Sequence, residues 1–224
     1  IESQNPLAQS CGLICPDKFC QKACVRANLD KAIKIPAVQA AIMQKARNEN
    51  MPLANVPNPN GLRVAVIGSG PAGIGAAAVL LRQGFCVTIF EKSNQIGGAL
   101  NLIPAERLPR EVIAADWKRI AANPNLTVKL NTLADDYEAL LEQGFEAVIV
   151  AVGEQTRRML NIAGEDLSVS YVEYLSNPQK YQTNGNVAVV GGGEVALDCA
   201  LTAKRLGGMV EMFVRRGLSN MRMG

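Results

Sequence analysis

Apolar residues along this chain fall into short runs closed by glycine, and two of the runs share one pattern. The first opens at Arg63 as RVAVIGSGPAG, continues as an Ala/Leu-rich segment to Gln83, stops at Gly84 and resumes as VTIFEK from Val87 to Lys92. A β-branched run ahead of glycine predicts a strand, and the Ala/Leu stretch predicts a helix that Gly84 ends. The second opens at Asn186 as NVAVVGGGEVALDCALTAKRLGGMVEMFVRR, with Gly191 answering to Gly68 and Gly193 to Gly70. Each reads as strand, glycine turn, helix, strand, and the second is expected to stop after one such unit.

Between them the pattern changes period several times. SNQIGGALNLIPAERLP is a loop rich in Gly and Pro, REVIAADWKRIAA an amphipathic helix, LTVKL a strand, DDYEALLEQG a capped helix stopped at Gly144, and EAVIVAVG a buried strand ending on Gly153. Ile1 to about Asn50 reads as helical, and MPLANVPNPNG, Met51 to Gly61, reads as a linker. Its prolines disfavour both helix and ladder.

Strands alternating with helices predict a parallel sheet, and a glycine turn at a strand's carboxyl end is where such a fold holds a dinucleotide. Gly68 allows the tight turn, Gly70 lets the backbone approach a pyrophosphate, and Gly73 lets the helix pack on the strand. The helix N-terminus adds unpaired N–H groups and partial positive charge. Glu91 closes the second strand at roughly the distance beyond Gly73, about 20 residues, where an acid accepts hydrogen bonds from an adenosine ribose. In the second unit, Gly191-x-Gly193-x-x-Ala196, the matching strand end falls at Val214 to Arg216, with Arg215 and Arg216 in place of an acid. A guanidinium there pairs with a 2′-phosphate that an acid would repel, which points to NADPH.

The expected class is therefore α/β: two Rossmann-like dinucleotide-binding domains, the second for NAD(P), preceded by a small helical Cys-rich segment. The expected boundaries are 1–50 for that segment, 61–153 for the first part of the first dinucleotide-binding domain, 154–185 for a connector, and 186–224 for the first βαβ unit of the NADPH-binding domain.

Composition narrows the chemistry. The 224 residues are 48% hydrophobic and 19% charged, enough for one or two cores. Apolar runs stop short of the roughly 20 residues a membrane span needs, and no basic stretch with an apolar core opens the chain. Neither export nor a membrane contact is expected, and the expected setting is cytoplasmic. A net charge of +3, with scattered lysines and arginines and few aromatics, leaves no footprint for nucleic acid. The chain has no histidine, which removes Ser-His-Asp triads, His-zinc sites and any imidazole acid or base. Chemistry must come from a bound cofactor or from cysteine.

Four of the six cysteines stand in Cys11-x3-Cys15-Pro16-x3-Cys20-x3-Cys24. Three readings stay open at this point. Iron–sulfur ligation suits a compact run with an adjacent proline, although the spacing is not that of a bacterial ferredoxin. Zinc prefers x2 to x4 pairs, which Cys15 and Cys20 meet only loosely. Unligated thiols are the third, while cytosolic cofactor motifs argue against disulfides. Cys86 and Cys199 read as small buried hydrophobes.

In this order the pieces resemble the flavin- and iron–sulfur-containing electron-input modules of the glutamate synthase small subunit and of dihydropyrimidine dehydrogenase. The resemblance is carried by NPLAQSCGLICPDKFCQKAC, VAVIGSGPAG with FEKSNQIGG, IPAERLP, AVIVAVG, and VAVVGGGEVALDCA with FVRRGLSNMR, and it spans nearly the whole chain. It implies FAD contacts from Ser69, Gly70, Pro71, Ala72, Gly73, Glu91, Lys92, Gly98 and Arg107, with Leu133 and Gly153 as further placements. For NADPH it implies Gly192, Gly193, Glu194 and Val195 at the phosphate turn, and Arg215, Arg216 and Arg222 near the 2′-phosphate. It also implies 4Fe-4S ligation by Cys15, Cys20 and Cys24, with Gln39 matching a glutamine ligand and Cys11 a cysteine of undecided role. Two departures stand out: Glu106 replaces a usual aromatic, and the family's other cluster cysteines lie upstream of the stretch that these 224 residues match.

The implied function is a flavin-dependent oxidoreductase module that passes electrons from NADPH through FAD to iron–sulfur clusters. The substrate-reducing site would lie on missing chain segments or a partner subunit. A pair of 4Fe-4S clusters needs about eight ligands, so this stretch alone is expected to hold no complete pair and to turn over nothing. The rival is a truncated, non-catalytic FAD-binding scaffold or partner-binding module.

Overall fold

The glycine-closed runs fold as strands and helices in the computed structural model, which describes residues 1–16, 18–51, 56–154, 159–181, 184–215 and 217. Three helices come first: α1 (Ala8–Ile14), the short α2 (Lys18–Lys22) and α3 (Ile35–Asn48). The first and third cross closely because Gly12 has no side chain; a Cβ there would stand 2.6 Å from Pro36 O and 2.8 Å from Ala40 Cβ. Pro36, buried in the first turn of α3, meets its fixed φ where an N–H is not needed.

The main sheet is built from β1 (Arg63–Ile67), β2 (Cys86–Phe90), β3 (Leu126–Lys129) and β4 (Ala147–Val150). All pairings are parallel, in the order β3-β2-β1-β4. Each crossover is helical: α4 (Pro71–Arg82), α5 (Arg110–Ala121) and α6 (Tyr137–Glu142). Val64 to Ile67 are all buried, as a central parallel strand covered on both faces requires. One face packs Val66, Val87 and Ile89 against Ile74, Ala77 and Leu81 of α4 and Val112 and Ile113 of α5. The other packs Ala65, Ile67 and Phe90 against Leu140 and Phe145. Asp136 caps α6 by accepting from Ala139 N–H.

The N-terminal segment docks on this domain through α5. Leu7 joins the first apolar face, and Asp116 Oδ2 accepts from Ser10 N–H at 2.8 Å, capping α1 from another helix. One turn on, Arg119 makes a two-pronged pair with Glu2 at 2.6 and 2.8 Å.

The stretch read as a connector has its own structure: a 3-10 turn at Glu165–Leu167, helix α7 (Tyr171–Ser176) capped by Ser170, and a second turn at Pro178–Lys180. The last unit is β5 (Asn186–Val190), α8 (Glu194–Arg205) and β6 (Met209–Phe213), with the two strands parallel. Tyr174 of α7 packs on Cys199 and Ala203 of α8.

Candidate functional site

At the carboxyl edge of the main sheet the backbone of the first glycine loop is dictated by what surrounds it. Gly68 has φ +98°, its N–H donates to Phe90 O at 2.8 Å, and a Cβ on it would lie 2.6 Å from Ala151 O. A Cβ on Gly73 would lie 1.9 Å from Gly68 O, so α4 could not start where it does with any other residue. A Cβ on Gly70 meets nothing within 4 Å. Two of the three glycines are thus required by the protein itself, and Gly70 is open to something the protein does not supply. Gly70 is also the N-cap of α4, Pro71 is its first residue, and no side chain caps the turn. Its first N–H groups are left for an anion.

Glu91 is buried at the end of β2 and holds this loop. Its Oε2 accepts from Ser69 N–H at 2.9 Å and Ser69 Oγ–H at 2.6 Å, and its Oε1 accepts from Ser93 N–H at 2.8 Å. Burial alone would raise this carboxyl, but the Ser69 and Ser93 donors outweigh it and hold it below the ordinary glutamate value. A carboxylate has about four acceptor positions, and the Ser69 and Ser93 donors take most of them.

Neighbouring loops close around the same place. Gly97 N–H donates to Ser69 O at 2.9 Å, and a Cβ on Gly98 would lie 2.8 Å from Gly70 Cα. Thr132 N–H donates to Glu91 O and Asn131 N–H to Ser93 O, each at 2.8 Å, which puts exposed Leu133 beside the strand end. Gly153, at φ +74°, follows β4 on the same edge. Lys92 is exposed next to Glu91. Arg107, expected at the first nucleotide, has its guanidinium on α8: Nη1 meets Glu194 Oε2 at 2.8 Å and Nη2 meets Asp198 Oδ2 at 3.2 Å.

The second loop repeats the first with one relaxation. Gly191 N–H donates to Phe213 O at 2.9 Å, as Gly68 N–H does to Phe90 O. Ala196 stands at the third glycine position with its methyl tolerated, and it is Gly191 whose Cβ would crowd that methyl at 3.1 Å. Gly193 caps α8 and, like Gly70, faces open space. Gly192 precedes it, Glu194 opens the helix on Arg107, and Val195 is exposed. The registers Ile67–Phe90 and Val190–Phe213 make Val214 the counterpart of Glu91 and Arg215 the counterpart of Lys92. Arg215 is exposed; Arg216 and Arg222 lie outside the described residues.

A sequence model described as pyridine nucleotide-disulphide oxidoreductase matches residues 62–219, which contain both loops. The chain belongs to that family. A second, described as dihydropyrimidine dehydrogenase domain II, 4Fe-4S cluster, matches residues 1–51. Among curated relatives, the NAD-dependent dihydropyrimidine dehydrogenase subunit PreT of Escherichia coli (strain K12) is 34% identical over 216 residues, 92% of this chain and 52% of that protein. The glutamate synthase [NADPH] small chain of Bacillus subtilis (strain 168) is 30% identical over 223 residues, 90% of this chain and 44% of that protein. Among solved structures, a 2-naphthoyl-CoA reductase complex is similar at 26% identity and TM-score 0.57, over 74% of this chain and 25% of that one. The chain spans about half the length of these two curated relatives or less.

The family's flavin and pyridine nucleotide fit what the two loops provide: open Gly70 and Gly193 cradles, each at an uncapped helix start. The cysteine run fits its cluster less well. Among the described residues no three Cys, Asp or Glu side chains lie together as a metal site would need. Cys15 and Cys20 are exposed, while Cys11 packs half-buried on the main core and burial pushes its thiol up. Gln39 spends its amide N–H on Ala8 O at 2.9 Å. Cys24 sits in a thiolate-favouring setting: Ile33 N–H donates to its sulfur at 3.4 Å, and that bond with those from Arg26 and Ala27 holds the thiol below its ordinary value.

Sequence reading missed Asp116 and Asp198. The signal was available, since each is an acid at core spacing on a helix face, beside Val112, Ile113 and Ile120 in one case and Cys199 and Ala203 in the other. Burial pushes both carboxyls up, and Arg107 pulls Asp198 partly back. Glu106, which stands where an aromatic is usual, is paired with Arg205 of α8 at 2.7 Å.

Proposed function

We propose that this chain is the electron-input module of a flavin-dependent oxidoreductase, holding FAD at Gly68–Gly73 and taking reducing equivalents from NADPH at Gly191–Ala196. The observation that carries the reading is the first loop, where Gly68 and Gly73 are closed by protein atoms and Gly70, between them, faces empty space at an uncapped helix start. Bound FAD would accept an electron pair as hydride and release it one electron at a time. The chain's own contribution is placement. Ser69, Pro71, Ala72 and Gly98 shape the pyrophosphate turn, Glu91 takes a ribose hydroxyl, and Leu133 and Gly153 line the sheet edge. Gly192, Gly193, Glu194 and Val195 form the second turn, with Arg215, Arg216 and Arg222 beside a 2′-phosphate. Cys15, Cys20, Cys24 and Gln39 would serve a cluster completed by residues from elsewhere, and Cys11 serves packing.

Electrons then leave for a reducing site on further chain or a partner subunit, as the relatives' names as subunits suggest. By itself this stretch would be inactive. Its setting is cytoplasmic; among the described residues no helix is long and apolar enough to cross a membrane. The test uses the full-length protein that contains this chain. Flavin absorbance that NADPH bleaches anaerobically is the expected result. Flavin that neither NADPH nor NADH can reduce would favour a non-catalytic FAD-binding scaffold instead.

A further inference from the structure

Arg107 stands on the loop that follows the first nucleotide unit, yet its guanidinium is engaged by the second. Its partners Glu194 and Asp198 are four residues apart, on one face of α8. They are unequal: the Glu194 side chain keeps 28% of its exposure, and the Asp198 side chain 5%. A carboxylate buried among Cys199, Ala200 and Ala203 is tolerable only against a fixed cation. Arg107 is that cation, and its Nε has no partner among the described residues, so the two carboxylates hold it. Two turns further along α8, Arg205 pairs with Glu106 of the same loop. The helix that starts at the second phosphate turn is thus pinned at both ends to residues 106 and 107.

We infer that Asp198 is a positioning residue for the second dinucleotide site. Through Arg107 it fixes the first turn of α8, which carries Gly193, against a loop continuous with the Gly97–Gly98 turn that is hydrogen-bonded to Ser69. Asp198 lies one turn behind the phosphate turn and acts on the nucleotide only by setting where that turn stands. This rests on the reading above that the second loop takes NADPH.

The experiment titrates NADP⁺, a non-reducing probe, into the FAD-loaded full-length protein carrying Asp198→Asn, and follows amide exchange over 103–109 and 194–205. Loss of a charge-assisted bond is expected to weaken NADP⁺ about tenfold with flavin content unchanged. Exchange should rise in both segments and not in 63–91. Asp198→Glu, which keeps the charge, should recover most of the affinity. Unchanged NADP⁺ affinity and exchange would overturn the proposal. So would a drop in flavin content and melting temperature with the folded fraction binding NADP⁺ normally, since Asp198 would then serve packing alone. If the unsubstituted protein binds no pyridine nucleotide, the functional reading of the second loop fails first and this proposal falls with it.

Discussion

The two glycine units begin alike and end differently. In each, the first glycine's N–H reaches the last residue of the neighbouring strand, Phe90 or Phe213, and the second glycine faces open space. The first unit sits in a four-stranded sheet with β1 buried on both faces. Among the described residues the second has two strands, in which Val190, Met209 and Phe213 are 64%, 66% and 54% exposed. Covering only one face produces the alternating burial of β5 and β6, whereas covering both produces the continuous burial of β1. Glycine-turn geometry is therefore local and survives in either setting, while the third glycine and the strand-end residue report how each helix and strand pack.

The largest expected contrast lies at the third position. Gly73→Ala would put a methyl 1.9 Å from a backbone oxygen and should cost about 3 kcal/mol or more, with loss of flavin. Ala196→Gly should change stability by no more than about 1 kcal/mol. Melting temperatures of the two variants check this, and similar values would dissolve the distinction between the units.

The second position should instead separate binding from folding. Gly70→Val is expected to weaken FAD roughly a hundredfold, about 3 kcal/mol, while the apoprotein melts nearly as before, because a Cβ at this position meets no protein atom within 4 Å. Flavin content beside apoprotein melting is the readout, and unchanged flavin content would remove FAD from this loop.

At the strand ends, Arg215→Glu with Arg216→Ala should erase a preference for NADPH over NADH of roughly tenfold or more, measured as the ratio of affinities. An unsubstituted protein that uses both equally would make these arginines a solvated strand end.

The acids give the smallest and most diagnostic effects. The folded-state Glu91 carboxyl lies below its ordinary value, so its stabilisation is present at neutral pH and fades as pH falls through the ordinary glutamate value, about 4, and below it. Glu91→Gln should be less stable than the parent at pH 7, with the gap closing in acid. Asp116 has the opposite sign: its folded-state carboxyl is raised, so ionising it at neutral pH works against the fold. Asp116→Asn keeps an acceptor for Ser10 N–H and should raise stability at pH 7 by less than about 1 kcal/mol, the gain vanishing toward pH 4. Thermal melts across that range decide both signs.

Much of this backbone was legible along the chain. Gly68 and Gly73 announce a turn because left-handed φ and close approach demand glycine, and both demands arise within one turn of backbone. The strand and helix order from β1 to β4 follows from hydrophobic period and Gly stops, which are equally local. Helix α7 inside the expected connector was missed, as six residues with a Ser170 cap give too short a period to read. What the chain could not show is where its charges go. Arg107 matched a flavin position by motif, and nothing near it in sequence showed that its guanidinium pairs with Glu194 and Asp198, 87 or more residues away, where the loop carrying it rests on α8. Glu106 looked like a defect until Arg205 supplied its partner, and the cap on α1 comes from Asp116, 106 residues on from Ser10. Backbone conformation is set by neighbours in sequence, so glycine turns and strand periods are determined there. Ion pairs and buried acids are set by neighbours in space, and only the packing of α5 and α8 against distant loops decided those.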